Sequence, residues 1–212
     1  MNIVLIGASG FIGTAVLREA LARGHHVTAL VTRPEKLAPQ ERLSARSGDV
    51  RDVGALSGQF KGADAVVSAF SGHAQSDTLG YYVAGIGNVI TAAKEARTSR
   101  LLVVGGAGSL EVAPGVQLID TPGFPAQYKA TAEGARQALA LLRAEQSLNW
   151  TMLSPSAVIA PGQRTGEYRI GGDQLLTGAD GNSRISVEDF AKAMVDELEA
   201  PAHERQRFTV GY

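Results

Sequence analysis

The chain has no cysteine among its 212 residues. That excludes disulfides, thiolate metal centres and cysteine nucleophiles, and it leaves the redox compartment open. It also lacks a charge imbalance: the formal net charge is −1. No general attraction to nucleic acid or to an anionic membrane follows. No apolar run approaches the roughly 20 residues of a membrane-spanning helix. Internal repeats, low-complexity tracts and linkers are missing too. Residue 1 lies almost directly at an apolar strand, so no signal peptide is expected, and the expected location is the cytoplasm. What is present is an ordinary globular balance, 44% hydrophobic and 19% charged, of a length that suits one domain with a full core.

The most informative stretch is the first. Ile3 to Ile6 has the length and composition of a buried parallel strand. It breaks into Gly7-x-x-Gly10-x-x-Gly13 and continues from Thr14 as a helix pattern to about Arg23. Gly7 allows a sharp turn off the strand, Gly10 lets a pyrophosphate approach the backbone, and Gly13 lets the helix pack closely on the sheet. The helix start then offers free N–H groups and a positive dipole end to phosphates. Three glycines at this spacing are weak evidence alone, but their place between a strand and a helix supplies the confirming context. The expected phosphate cradle is Gly7, Ala8, Ser9, Gly10, Phe11, Ile12 and Gly13.

Five further strands are expected: His25–Val31, Leu43–Ser47, Asp64–Phe70, Leu101–Val104 and Asn149–Leu153. They alternate with helices, including 79–97, whose apolar Val83, Ile86, Val89 and Ile90 read as a core stripe, and 127–145. The fold class is therefore α/β, a doubly wound parallel sheet with both faces covered. It forms a single domain over residues 1–212, with 157–212 as a small substrate-side segment. That segment carries a short strand at 167–170, turn clusters, a Ser186–Asp189 helix start and a final strand at 207–210. Residues 111–125 read as a loop able to cover a substrate.

Strand ends carry the remaining candidates. Arg33, with Lys36 one turn on, suits the 2′-phosphate of NADP better than the 2′-hydroxyl of NAD, although loop arginines are also commonly just solvated. Asp49 either faces an adenine amino group, with Val50 flanking the ring, or only caps a turn. Small residues at the end of the fourth strand, Ala69 and Ser71 on either side of Phe70, and Gly105 after the fifth, let the backbone run under a nicotinamide. His73 is a loop residue that is more often a bystander than an acid or base. Asp173, Asp180, Glu188 and Asp189 sit at turns and caps, and no metal site is expected of them.

Together the glycine motif, Thr32-Arg33-Pro34, Gly48-Asp49-Val50 and Trp150-Thr151-Met152-Leu153-Ser154-Pro155 resemble the atypical short-chain dehydrogenase/reductases. Within these, the chain is similar to the NAD(P)H-binding group called putative NADH-flavin reductases, through to its Arg207–Tyr212 end. The resemblance implies cofactor contacts at the cradle, at Arg33, Asp49 and Val50, at Ala69 and Phe70, at Gly105, and at Ser154 with Pro155 and Ser156. It places Ser109 where such reductases keep a hydroxyl near the reacting carbon. One departure counts: Tyr128 is followed four positions on by Ala132, so the usual Tyr-x-x-x-Lys is missing. Lys129 lies about 100° round the helix from Tyr128 and cannot pair with it on one face. Lys129 shares a face with Glu133 instead, a pattern similar to relatives whose lysine reaches the cofactor.

The expected activity is hydride transfer from NADPH to a flavin, quinone or related conjugated acceptor, with flavin as a substrate rather than a resident group. Such an acceptor needs no dedicated acid, though Ser109, Tyr128 or His73 could donate to it. A non-catalytic NADP(H) redox sensor is the alternative, and a nucleotide-sugar epimerase a weaker one. The expected partner is a small molecule, with neither nucleic acid nor membrane, and the protein a monomer or homodimer.

Overall fold

A computed structural model describes residues 1–212. The chain runs β1 (Asn2–Ile6), α1 (Phe11–Ala22), β2 (His26–Val31), β3 (Leu43–Ser47), α2 (Val53–Phe60), β4 (Ala65–Ser68), α3 (Thr78–Ala96) and β5 (Leu101–Val104). It continues through β6 (Glu111–Ala113), β7 (Val116–Gln117), α4 (Lys129–Ala144), β8 (Trp150–Ser154), β9 (Val158–Ala160), β10 (Arg169–Gly171), β11 (Arg184–Ser186), α5 (Val187–Glu199) and β12 (Gln206–Gly211). Eight strands form one sheet in the order β10-β12-β8-β5-β4-β1-β2-β3. Every pairing in it is parallel except β10 against β12.

The unbroken apolar run of β1 serves two cores at once. Ile3 and Leu5 face α1 and α5, packing with Val16, Leu17, Phe190 and Met194. Val4 and Ile6 face the other side, with Leu56 and Phe60 of α2, Ile86 and Val89 of α3, and Leu139 and Leu142 of α4. Period-two alternation is thus real but invisible in hydropathy, because both faces are buried.

Caps follow the sequence where a side chain can provide them. The Asp52 carboxylate accepts from Ala55 N at 2.9 Å at the start of α2, and Asp77 accepts from Gly80 N at 2.8 Å at the start of α3. Ser186 Oγ accepts from Asp189 N at 3.0 Å to start α5. The reciprocal half of a capping box is absent: Ser186 N donates to the Tyr212 hydroxyl, and Asp189 serves Thr165, Gly166 and Tyr212.

Several expectations are corrected. The core stripe of α3 uses Tyr82, Ile86, Val89 and Ile90, and Val83 is only half-buried. The fourth strand is shorter than 64–70, spanning Ala65–Ser68, although Asp64 N still donates to Asn2 O and Ala69 N to Ile6 O just beyond its ends. The 111–125 stretch contains the β6–β7 hairpin, turning at Gly115 with φ +73°, where a left-handed backbone favours glycine. A parallel pair of three-residue strands, β9 and β11, was not expected at all.

Candidate functional site

The expected cofactor residues come together along one edge. Gly48, Asp49 and Val50 follow β3, and Arg33 follows β2. The glycine turn follows β1, Ala69 to Ser71 follow β4, Gly105 follows β5, and Ser154 to Ser156 close and follow β8. These strands are consecutive in the sheet, so residues spread over 150 positions form a continuous track at the strands' carboxyl ends. The chain reverses direction across the sheet at β1, which has β2 on one side and β4 on the other. Such a switch point is where doubly wound sheets open a crevice.

The glycine turn is held mainly by backbone, with the Thr14 hydroxyl donating to Ala8 O at 3.2 Å. Gly7 has φ +78°, and a Cβ there would stand 2.6 Å from Phe70 N. A Cβ on Gly13 would stand 2.0 Å from the Gly7 carbonyl oxygen, so only glycine lets α1 begin this close to the strand. Gly10 N donates to Gly7 O at 3.0 Å, and Gly10 is itself the N-cap residue of α1, with no side chain capping the helix. The first N–H groups of α1 therefore point out free, beside an electropositive helix end. This cradle fits a pyrophosphate.

A cavity of about 600 Å³ opens beside it. Its cradle side is Gly10, Phe11 and Ile12, and its floor is Ala69–His73, Val104–Gly108 and Pro155–Ile159. The far wall comes from the segment 118–125 and from Tyr128, Thr131, Ala132 and Ala135 around the start of α4. Its volume is within the range of about 300–1,000 Å³ usual for small-molecule sites. The His73 ring Nε2 and Thr131 Oγ1 lie 3.0 Å apart, joining the β4–α3 loop to α4 across the mouth. Tyr82 enters the wall from α3, its hydroxyl donating to Val104 O at 3.3 Å, and burial pushes its phenol well above the ordinary value. It therefore keeps its proton.

The candidates meet different fates in this geometry. Tyr128 lines the cavity and is 57% exposed. Lys129, the first residue of α4, is exposed and does not line it. Tyr128 closes the short turn Ala126–Tyr128 and is the N-cap residue of α4, which begins at Lys129 rather than at 127, so the two part at the helix junction. Ser109 is 2% exposed and also lies outside the cavity wall. Its hydroxyl accepts from Arg207 Nη1 at 3.3 Å, so it is held beneath the floor rather than presented to a reacting carbon. Ser154 is likewise turned inward, while Pro155 and Ser156 reach the wall. Ser156 Oγ donates to Val210 O at 2.9 Å.

At the other end of the track Arg33 and Lys36 are both exposed, on the turn after β2. Asp49 accepts from Arg51 through both carboxylate oxygens and from Arg51 N at 2.9 Å. The Arg51 guanidinium holds its carboxyl below the ordinary range. The cap of α2 belongs to Asp52, so Asp49 is tied into its own short turn. Val50 is buried against the Gly85 backbone of α3.

Arg207 is a residue the sequence pattern did not single out. Its side chain is 2% exposed, yet it binds the Asp173 carboxylate, the Ser109 carbonyl and hydroxyl, and the Ser154 hydroxyl. Burial lowers its pKa, and Asp173 opposes that shift. Arg207 thus pins three chain segments under the cavity floor. The other turn acids are engaged as well: Asp180 with Arg184 and Asn182 N, and Glu188 with Gly162 N. No group of three or more metal-ligating side chains is present, and no helix is long and apolar enough to cross a membrane.

Comparison with known proteins gives this geometry a family. Residues 7–201 match a family model described as NAD(P)H-binding. A Bacteroides thetaiotaomicron structure, named as a "putative epimerase", is 44% identical, with a TM-score of 0.93 over 100% of this chain and 96% of its own. A Burkholderia pseudomallei structure, named "putative exported protein", is 42% identical, with a TM-score of 0.91 over the whole of both chains. A Streptococcus pneumoniae structure, named a "putative NADH-flavin reductase", is 36% identical, with a TM-score of 0.89 over 100% of this chain and 99% of its own.

Proposed function

Because this chain belongs to the NAD(P)H-binding family, with a Rossmann-like fold and the cradle such a cofactor needs, we propose that it is an NADPH-dependent reductase of conjugated acceptors such as flavins and quinones. The observation that carries the reading is the apolar cavity adjoining the glycine cradle, in a site without a Tyr/Lys couple. Ring-to-ring hydride transfer asks the protein for alignment and exclusion of water more than for an acid. The cradle residues Gly7 to Gly13 would hold the pyrophosphate, and the ends of β4, β5 and β8 the nicotinamide half. A reduced nicotinamide held there would supply a hydride, which with one proton from water would convert a quinone to a hydroquinone.

The free guanidinium of Arg33 favours the 2′-phosphate, so NADPH is the preferred donor in this reading. Lys36 and Asp49 sit on the same side of the track. The acceptor stacks within the far wall, where the Tyr128 and Thr131 hydroxyls can donate to its oxygens. A cytoplasmic location belongs to this proposal, and cell fractionation tests it.

The experiment is fluorescence titration with NADPH and NADH, followed by addition of riboflavin, FMN and menadione with the reduced cofactor's absorbance monitored. The expected result is tighter binding of NADPH than NADH and acceptor-dependent oxidation. Arg33→Ala should weaken NADPH about tenfold while leaving NADH within about twofold. Tight binding with no oxidation by any acceptor would refute the enzyme and favour a cofactor-binding sensor.

A further inference from the structure

The cavity wall includes no Lys, Arg, Asp or Glu among its 29 residues. In a chain that is 19% charged, this is a marked segregation. Charged groups near the wall are occupied elsewhere. Arg136 binds Glu133 and Asp120 on the outer side of α4, and Lys129 is exposed beside Tyr128 but outside the wall. The polar atoms the wall offers are hydroxyls, backbone groups and the His73 ring.

The rim adds a second observation. Phe11, Tyr128 and Val158 are 53%, 57% and 58% exposed, and all three line this one cavity. Large apolar side chains left open together at a mouth mark a surface that a ligand covers. Phe11 comes from the cradle, Tyr128 from the start of α4 and Val158 from the segment after β8, so they approach the opening from three sides.

With the N–H groups of α1 taken up by the pyrophosphate of the proposed cofactor, an ion taken into the rest of the site loses its water and gains no opposite side-chain charge, which is costly. A neutral flat ring loses little and gains apolar contact on both faces. Resting on the reductase reading above, we propose that the acceptor is an uncharged, flat conjugated ring, quinone-like in its polar groups, and that the cavity rejects acceptors bearing an anionic group on the ring itself. Carbonyl oxygens on the ring suit the wall's hydroxyl donors Tyr128 and Thr131, whereas the Thr121 hydroxyl is spent on Leu118 O at 2.7 Å. A phosphate on a long flexible tail, as in FMN, is a weaker discriminator because the tail can extend through the mouth into water.

The decisive pair is therefore menadione and 1,4-naphthoquinone-2-sulfonate, in which a sulfonate replaces the methyl on the same ring. The sulfonate withdraws electrons and makes the ring the better hydride acceptor, so a slower reaction cannot come from driving force. The chain has no cysteine to add to either quinone. With the NADPH-loaded protein, kcat/KM for the sulfonate should be at least about tenfold lower, expressed mainly in KM. Thr131→Lys puts a cation on the wall and should narrow the ratio at least about fivefold. A ratio near one in the native protein, or a ratio unchanged in folded Thr131→Lys protein, overturns the proposal. If neither quinone nor any flavin is reduced, the reductase reading fails separately. Equilibrium dialysis against the NADPH-loaded protein then decides this one: menadione retained and the sulfonate excluded upholds it, and equal binding or none overturns it.

Discussion

Adding one methyl group at Gly13 should loosen cofactor binding and destabilise the fold, although the same change elsewhere in a helix stabilises. The new Cβ would stand 2.0 Å from the Gly7 carbonyl oxygen and 2.8 Å from its carbon. Both atoms are backbone, in a turn fixed by its own contact with Phe70, so α1 must retreat by about 1 Å. Overpacking of this kind costs about 1–3 kcal/mol. Replacing glycine by alanine within a helix returns about 1 kcal/mol. The net loss is up to about 2 kcal/mol, a fall in Tm of up to about 8 °C for a domain of this size. The larger effect is on the cradle. Its N–H groups would leave the positions from which they meet the phosphates, and each charge-assisted hydrogen bond weakened costs roughly tenfold or more. Gly13→Ala should bind NADPH about 10- to 100-fold less tightly. The matched control is Gly87→Ala in the middle of α3, where an added Cβ meets nothing within 4 Å. It should raise Tm by a few degrees and leave NADPH affinity alone. Fluorescence titration and thermal melts of the two variants decide the matter. Gly13→Ala binding NADPH as the native protein does would refute the account of the cradle.

Three other outcomes follow from the geometry. Arg207→Met should lower stability by about 2–3 kcal/mol in urea unfolding, since it strips the buried partners of Ser109 and Ser154 while leaving Asp173, which is half-exposed, able to hydrate. Ser109→Ala should change kcat less than about twofold in the NADPH-dependent assay, because its hydroxyl serves Arg207 and not the cavity; a hundredfold loss would restore it to the chemistry. Hydrogen bonds from Ser147, with help from Lys94, hold the Glu145 carboxyl down at about 2. A depressed carboxylate stabilises the fold above its unfolded value and loses that contribution as the pH falls toward its folded one. Native protein should therefore lose about 2 kcal/mol more than Glu145→Gln between about pH 5 and pH 2, and parallel acid-unfolding curves would contradict this.

The track of candidate residues at the strand ends is legible in the sequence because its determinants are local. A glycine triplet between a strand and a helix, and short motifs at successive strand ends, need only the sheet order to become a track. Arg33 and Asp49 could be placed on that track from their positions alone. Tyr128 and Lys129 could be separated as well, although a helix junction and not an offset within one helix parts them. Ser109 was misplaced because position along the chain does not say which way a side chain turns, and Arg207 draws it inward from 98 residues away. Arg207 itself read as an ordinary strand residue. Its burial depends on Asp173, which reads as a turn residue. The β9–β11 pair and the β6–β7 hairpin were hidden for a different reason: strands of two or three residues are too short to carry a period.

The contact between Gly7, Gly13 and Phe70 has a consequence for how this site can change. On the proposed function, the pyrophosphate contacts there come from main-chain atoms, so a mutation would spoil them but could hardly retune them. The opposite wall draws on one contiguous stretch, Leu118 to Ala135, carried on two short helical turns, a loop and the start of α4. On the same proposed function, drift in that stretch would alter which ring is accepted without touching the source of reducing power. The molecule would then be divided into a donor socket fixed by backbone geometry and an exchangeable acceptor plate. Swapping residues 118–135 between relatives at similar overall identity is therefore the natural way to transplant one acceptor preference onto another's scaffold.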